Sequence, residues 1–515
     1  MIEFNGILTA TVFLPALGAL IILVSSNKRT IVRVVAALVT FCDFILAIAV
    51  FVLFDRTEGN ERFQFIDEVN WISSDLINSS YLLAVDGLSV PLVLLTGLLG
   101  FVAVIASLRI ELRVKEYFIW LLLLQTSVMG VFTSLDMLLF FLFWELELVP
   151  MYMLIVIWGS GRREYSGMKF LIFTISGSAA MLLGLIGVSL TQGADGFNMI
   201  ELLESGSMVS AAVGVVPMTL LFWLFFAAFA VKLPVWPVHT WLPDAHTDAP
   251  TAASVMLAGV MLKMGGYGLL RINLGLFPEQ IHRFALVLML LGVISVIYGG
   301  IVTIRQTDLK RLVAYSSVSH MGLVLVGIAS VGLSSGQIAI AGLTGAAMQL
   351  FTHGTITGLL FLSVGLIYDK AHTRSIPELG GVAQRMPVVS IAFLVAGLAS
   401  LGLPGLSGFV SEILIFFGAF SVYPLLTGIA VIGIVLASGY ILWMVQRSLF
   451  GPVADSVRQV GDASAVEAIP LVLMILSIVA VGLYPSVLTD VFNSGLAPMV
   501  SVINEIISGN FATIR

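Results

Sequence analysis

LLFWLFFAAFAVKLPVWPVHTWLPDAHTDAP, residues 220–250, decides the class of fold. It belongs to an apolar stretch from Val215 to His246 that is too long for one straight membrane crossing and that breaks in its middle at Pro234 and Pro237. About 20 helical residues span a hydrocarbon core roughly 30 Å thick. Non-helical backbone at that depth survives only where it faces protein or water. Lys232 stands at the break. A second long stretch, Met386 to Phe420, breaks at GLPGLSG, residues 402–408, and carries Glu412 just beyond. Paired broken helices of this kind mark an ion path.

The rest of the chain agrees. Of 515 residues, 59% are hydrophobic and 10% charged, with a mean hydropathy of +1.08, which excludes a soluble globular protein. The segments are too long for the strands of a barrel. They imply an all-α polytopic membrane protein of about fourteen spanning helices, starting near residues 7, 32, 82, 115, 134, 166, 209, 250, 283, 311, 338, 387, 424 and 464. The first run, Ile7 to Val24, lacks a basic leader and an Ala-x-Ala site and is expected to be retained as a helix. The loops around 28–33, 109–115, 162–169, 305–311, 370–385 and 447–458 hold 17 of the 24 Lys and Arg. By the positive-inside rule they are cytoplasmic, and an even helix count then puts both termini on the outer side. The acidic loops at 55–80 and 192–208 fall outside. The two broken helices enter from opposite sides, so helices 4–8 (115–272) and 9–13 (283–450) form two inverted five-helix repeats, flanked by helices 1–3 (1–114) and by helix 14 with its tail (451–515).

Ionisable residues inside such helices are expensive and mark function. Glu145 lies mid-way along the fifth helix in FWELELVPMY, residues 143–152, and Lys232 is its natural partner, as a proton switch or as a static ion pair that fixes packing. Glu147 points about 200° away from Glu145 and reads equally as a pathway residue or an interface contact. Lys263, deep in the eighth helix, is too far from either surface to snorkel and can relay protons. His320 and His353 lie among hydroxyl and amide side chains in helices 10 and 11, where histidine suits proton exchange or a hydrogen-bonded structural role. Glu412 holds in repeat two the position Lys232 holds in repeat one; its plainer reading is a carboxylate stabilised by the half-helix starting near Ser407. His239, Asp244, His246 and Asp248 read as a proton mouth or a loop cap, since prolines spoil the spacing a metal would need. Asp86 and Asp136, near helix starts, read as helix caps ahead of path residues. The single cysteine, Cys42, leaves no disulfide, CxxC pair or iron-sulfur site, and the nucleotide-binding glycine motifs are absent.

FWELELVPMY, FAVKLPVWPVHTWLPDAHTDAPTAASVMLAG (229–259) and QTDLKRLVAYSSVSHMG (306–322) resemble the antiporter-like subunits of respiratory complex I, the bacterial M type most of all, over nearly the whole chain. That resemblance implies a proton path over Glu145, Lys232, Lys263, His320, His353 and Glu412, driven by quinone reduction elsewhere. The sister L and N subunits usually carry lysine at the position of Glu412, which favours the M type. The resemblance implies no cofactor on this chain, with NADH, FMN, iron-sulfur clusters and quinone on other subunits. It implies L-like and N-like antiporter subunits, lipid and protons as partners, no nucleic acid, and a place in the bacterial inner membrane. The alternatives are a subunit of a multisubunit sodium/proton antiporter or membrane-bound hydrogenase, and a membrane scaffold.

Overall fold

A computed structural model describes every residue except 1–4, 26, 58–61, 75–77, 193–196, 206–215, 333–336 and 509–515. Both chain ends, the helix start expected near 209 and parts of the two acidic loops lie outside the described residues. The chain is a bundle of helices: α1 Ile7–Val24, α2 Arg29–Leu53, α3 Val90–Ala106, α4 Val114–Thr133, α5 Met137–Leu146, α6 Leu148–Trp158, α7 Arg163–Gln192, a short α8 Met199–Ser205, α9 Met218–Lys232, α10 Trp241–Asp248, α11 Thr251–Leu274, α12 Pro278–Ile304, α13 Leu309–Ile328, α14 Gln337–Ala371, α15 Pro387–Ser400, α16 Ser407–Val422, α17 Pro424–Leu449, α18 Ala465–Leu483 and α19 Ser486–Ser508. Twelve described helices are long and apolar enough to cross a membrane, α5 and α6 counting as one. The two proline-marked stretches each divide into half-helices, α9 with α10 and α15 with α16, as their sequences require.

Two features depart from the helical expectation. The segment expected as an acidic loop forms an antiparallel hairpin, β1 Gln64–Ser73 with β2 Asn78–Val85, so the helix expected to start near 82 starts at Val90. The polar start of Asn78–Val85 is followed by Leu82 to Val85, four consecutive residues that the strand buries. Beyond the last expected helix lies α19. Its residues 491–499 meet Gly87, Gly275 and Thr344, all at the same end of the bundle as the hairpin. We call this the hairpin end and the opposite one the basic end.

Enclosure separates the inner helices from the outer ones. The apolar windows of α11, α13 and α14 are 100%, 94% and 94% buried, against 28% for α18 and 33% for α2 and α17. Lipid is as apolar as leucine, so helices that close on one another inside a membrane do so through small residues and polar contacts. At the crossing of α11 and α14, a side-chain carbon on Gly354 would come within 2.6 Å of the Gly259 carbonyl oxygen. These two glycines let the backbones of α11 and α14 touch next to His353. Two π-helical turns, Leu257–Met261 and Leu269–Leu274, interrupt α11 on either side of the regular stretch Leu262–Gly268 that carries Lys263.

Candidate functional site: a file of buried charges

The first break is built from its prolines. Pro234 and Pro237 supply no N–H, the helix ends at Lys232, and the carbonyls it frees are taken up locally. Trp241 Nε1 donates to the Val231 carbonyl at 3.0 Å, the Val235 N–H donates to Ala230 at 2.9 Å, and the Trp236 N–H donates to Ser295 Oγ at 3.0 Å. Lys232 is thereby fixed with its Nζ 5.5 Å from the ring centres of both Trp144 and Phe170, a favourable place for a desolvated cation.

Its ion-pair partner is Glu147, which corrects the expected pairing with Glu145. Pro150 displaces the carbonyl four residues earlier, and the helix is interrupted at Glu147, between α5 and α6. Two residues apart, the acids face nearly opposite ways. The side turned to Lys232 is that of Glu147, fully buried, while Glu145 is half-buried. Glu145 stays within electrostatic reach of Lys232, and its Oε1 is buried without a hydrogen-bond partner.

Lys263 and three further expected residues come together from four helices, α11, α14, α13 and α16. Lys263 Nζ lies 2.7 Å from His353 Nδ1 and also donates to the Ala258 carbonyl, in the π-helical turn. The His353 ring centre is 5.6 Å from that of His320. His320 places Nδ1 2.8 Å from the Ser316 carbonyl and Nε2 2.9 Å from that of Ser400, at the edge of the second break. A neutral imidazole has one N–H, so only the doubly protonated ring donates to both carbonyls. Glu412 Oε1 stands 3.9 Å from the same Nε2. All four residues are buried, at most 5% exposed. Glu412 is held against the turn of the break: Gly402 has φ +76°, and a side-chain carbon there would meet Glu412 Oε2 at 2.5 Å.

The cluster near residues 239–248 does not converge. Asp244 pairs with Lys169 at 2.7 Å, and Asp248 accepts from Ser166 Oγ at 2.6 Å while its carbonyl accepts the Ser160 N–H. Both tie α10 to α7. His239 stands edge-on to Tyr298, and His246 stacks on Phe361 with ring centres 4.7 Å apart. Asp136 caps α5 through the Leu138 and Leu139 N–H groups. Asp86 accepts from the N–H groups of Leu88 and Ser89, and also pairs with Arg271.

With this geometry in view, comparison with known proteins is direct. A family model described as NADH:quinone oxidoreductase/Mrp antiporter, TM, matches residues 134–437, more than half of the chain. The chain belongs to that family. Subunit M of NADH-quinone oxidoreductase from Rhodobacter capsulatus is 37% identical over 510 residues, covering 96% of each chain. NAD(P)H-quinone oxidoreductase chain 4 1 of Synechococcus elongatus is 40% identical, over 94% of this chain and 90% of that protein. A chain of respiratory complex I from Thermus thermophilus with bound NADH matches with a TM-score of 0.84 at 26% identity, over 97% of this chain and 99% of that one. A chain of the Mrp complex from a Dietzia species matches at 0.81 and 19% identity, a likeness of fold. The chain is thus an antiporter-like membrane subunit whose relatives are subunits of an oxidoreductase complex.

Within this family framework, the tertiary structure adds residues that the sequence reading left aside or placed elsewhere. His246 is fully buried with both ring nitrogens unpartnered, and lies within electrostatic reach of Lys263 on one side and Lys310 on the other. Lys310, read as a loop residue, is buried, donates to the Ala249 carbonyl at 2.6 Å, and borders a cavity of about 440 Å³ at the basic end together with Asp369, His372 and Tyr117. Tyr440 buries an unpartnered hydroxyl within electrostatic reach of Glu412. Asp43, in α2, accepts from Gln125 at 2.6 Å away from the file. Hydrophobicity flags Asp43 directly, since it stands in an apolar run; no sequence signal distinguishes Lys310 from its exposed neighbours.

Proposed function

We propose that this chain carries protons across a bacterial cytoplasmic membrane as an M-type, antiporter-like subunit of a quinone-reducing complex, flanked by L-like and N-like relatives. The observation that carries the reading is the run Lys263, His353, His320, Glu412, with neighbouring groups 2.7, 5.6 and 3.9 Å apart, the first three on the most enclosed helices. Three of its four groups bear nitrogen, which suits proton exchange; sodium and other hard cations require oxygen ligands. That composition favours protons over sodium on this route.

The charge bias of the loops supports a cytoplasmic basic end and an external hairpin end. Fourteen crossings, with α19 lying across the outer surface, and a division into 1–114, 115–272, 283–450 and 451–515 with the middle two inverted, fit the two breaks and the contacts of α19. A proton enters by the cavity beside Lys310 and reaches Lys263 past His246. Lys263 passes it to His353 Nδ1; transfer to His320 needs a ring turn or one bridging water, and Glu412 with Tyr440 receives it on the way out. Lys232 and its two acids supply the trigger. When the Glu147 contact opens, Glu145 is the carboxylate left to compensate the ammonium, and the altered field is felt at Lys263. The energy comes from quinone reduction on other subunits, with NADH, FMN and iron-sulfur clusters outside this chain.

Lys263→Met in the assembled complex tests the file. Proton pumping by inside-out vesicles is expected to fall at least about tenfold, as the loss of one obligatory relay group requires, with assembly intact on a native gel. Unchanged pumping from a fully assembled Lys263→Met complex rules out the file as the route.

A further inference from the structure

The same helix that carries Lys263 offers a second way out, and it is blocked. Lys263 and Tyr267 are four residues apart in the regular stretch Leu262–Gly268, on one face. Arg271 follows, its Nε donating to Tyr267 Oη at 3.2 Å and its two terminal nitrogens to the two oxygens of Asp86. Arg62, next to the hairpin, adds its guanidinium 3.8 Å from Asp86. Lys263, Tyr267 and Arg271 therefore form a line of exchangeable or charged groups running about 12 Å along the helix toward the hairpin end. A proton on Lys263 has two directions open to it, sideways to His353 or down this line.

We propose that Arg271 is an electrostatic plug that closes the downward route, so that protons leave Lys263 only through the histidines. The proposal rests on the proton path above and adds a residue the path does not use. An arginine does not give up its proton in proteins, so it cannot relay one, and as a buried cation it repels any that arrives. Arg271 is 1% exposed and forms a cluster with Asp86, which holds both of its terminal nitrogens and which Arg62 approaches from the hairpin. Burial alone would raise the Asp86 carboxyl, but the Arg271 and Arg62 guanidiniums and the Ser89 N–H hold it below the usual carboxylate range. The cluster keeps its charges at any working pH. Among the described residues Tyr267 is the exchangeable group that the helix places between Lys263 and the plug, and its hydroxyl accepts the Arg271 N–H and donates to the Phe132 carbonyl. A plain structural clamp between α11 and the start of α3 would need the paired hydrogen bonds but would not need the charge.

The test neutralises the pair while keeping its shape, in the Asp86→Asn/Arg271→Gln double variant. The whole complex, reconstituted in liposomes with a trapped pH dye and no NADH, is given an imposed potential, and proton entry is followed. The plug predicts a passive leak at least about fivefold above the parent complex, and adding Lys263→Met to the double variant returns the leak to the parent level. Arg271→Lys, which retains a charge beside Asp86 but can exchange its proton, is expected to leak as well and serves if the neutral pair does not assemble. A tight membrane in both variants overturns the plug and leaves a clamp. A leak that persists in the triple variant also overturns it, since the leak then bypasses Lys263. The proton path itself is judged separately, by pumping in Lys263→Met alone.

Discussion

At the scale of single residues, the acids near Lys232 divide the work between them. Glu147 contacts the ammonium inside the protein, and removing one partner of a buried pair leaves the other charge uncompensated. Glu147→Gln is therefore expected to destabilise the subunit by about 3 kcal/mol, read as a lower melting temperature of the purified complex and reduced assembly. Glu145 is half-buried with an unpartnered oxygen, so Glu145→Gln is expected to change stability by less than about 1 kcal/mol while lowering protons pumped per electron. The opposite division, with Glu145→Gln costing assembly and Glu147→Gln costing neither, overturns the pairing described here. Sequence alone named both acids and the lysine as charges within the helices; Glu147 and Lys232 are buried and Glu145 is half-buried. Which acid meets the lysine depends on how a proline-interrupted helix is rotated, and a rotation is not written in residue types.

At the scale of elements, irregular backbone brings the file together. The breaks at Pro234 and in GLPGLSG were legible because proline and glycine act locally. The crossing of α11 and α14 was not, since Gly259 and Gly354 are 95 positions apart and each is an ordinary glycine in an apolar run. Gly354→Ala places a methyl against the Gly259 carbonyl and pushes the two helices apart beside the Lys263 to His353 contact. It is expected to cost about 1–3 kcal/mol, the usual price of overpacking, and to slow pumping with the file residues all present; an unperturbed melting temperature and full pumping rule out the crossing as what positions the pair. The π-helical turn at Leu257–Met261 has the same standing. It leaves the Ala258 carbonyl where Lys263 can donate to it, and nothing in LAGVM announces it.

At the scale of the whole molecule, the charge bias of the loops predicts the orientation, and cysteine accessibility tests it. In a Cys42→Ser background, Ser456→Cys at the basic end is expected to react with an impermeant maleimide only in inside-out vesicles, and Ser73→Cys at the hairpin end only in intact spheroplasts; labelling from the reversed sides inverts the proposed proton route. The membrane class, the order of the helices, the two breaks and the six candidate residues follow from the amino-acid sequence by itself, because hydrophobic runs, proline breaks and the cost of a charge in lipid are local properties that each segment carries with it. The hairpin, the choice of Glu147, the Lys263 to His353 and His320 to Glu412 contacts, the buried Lys310 and the Arg271 to Asp86 cluster were decided only in the tertiary structure. Each joins residues from separate segments, and the energy that selects them is the desolvation of a charge, which is relieved by whichever partner the packed helices bring within reach.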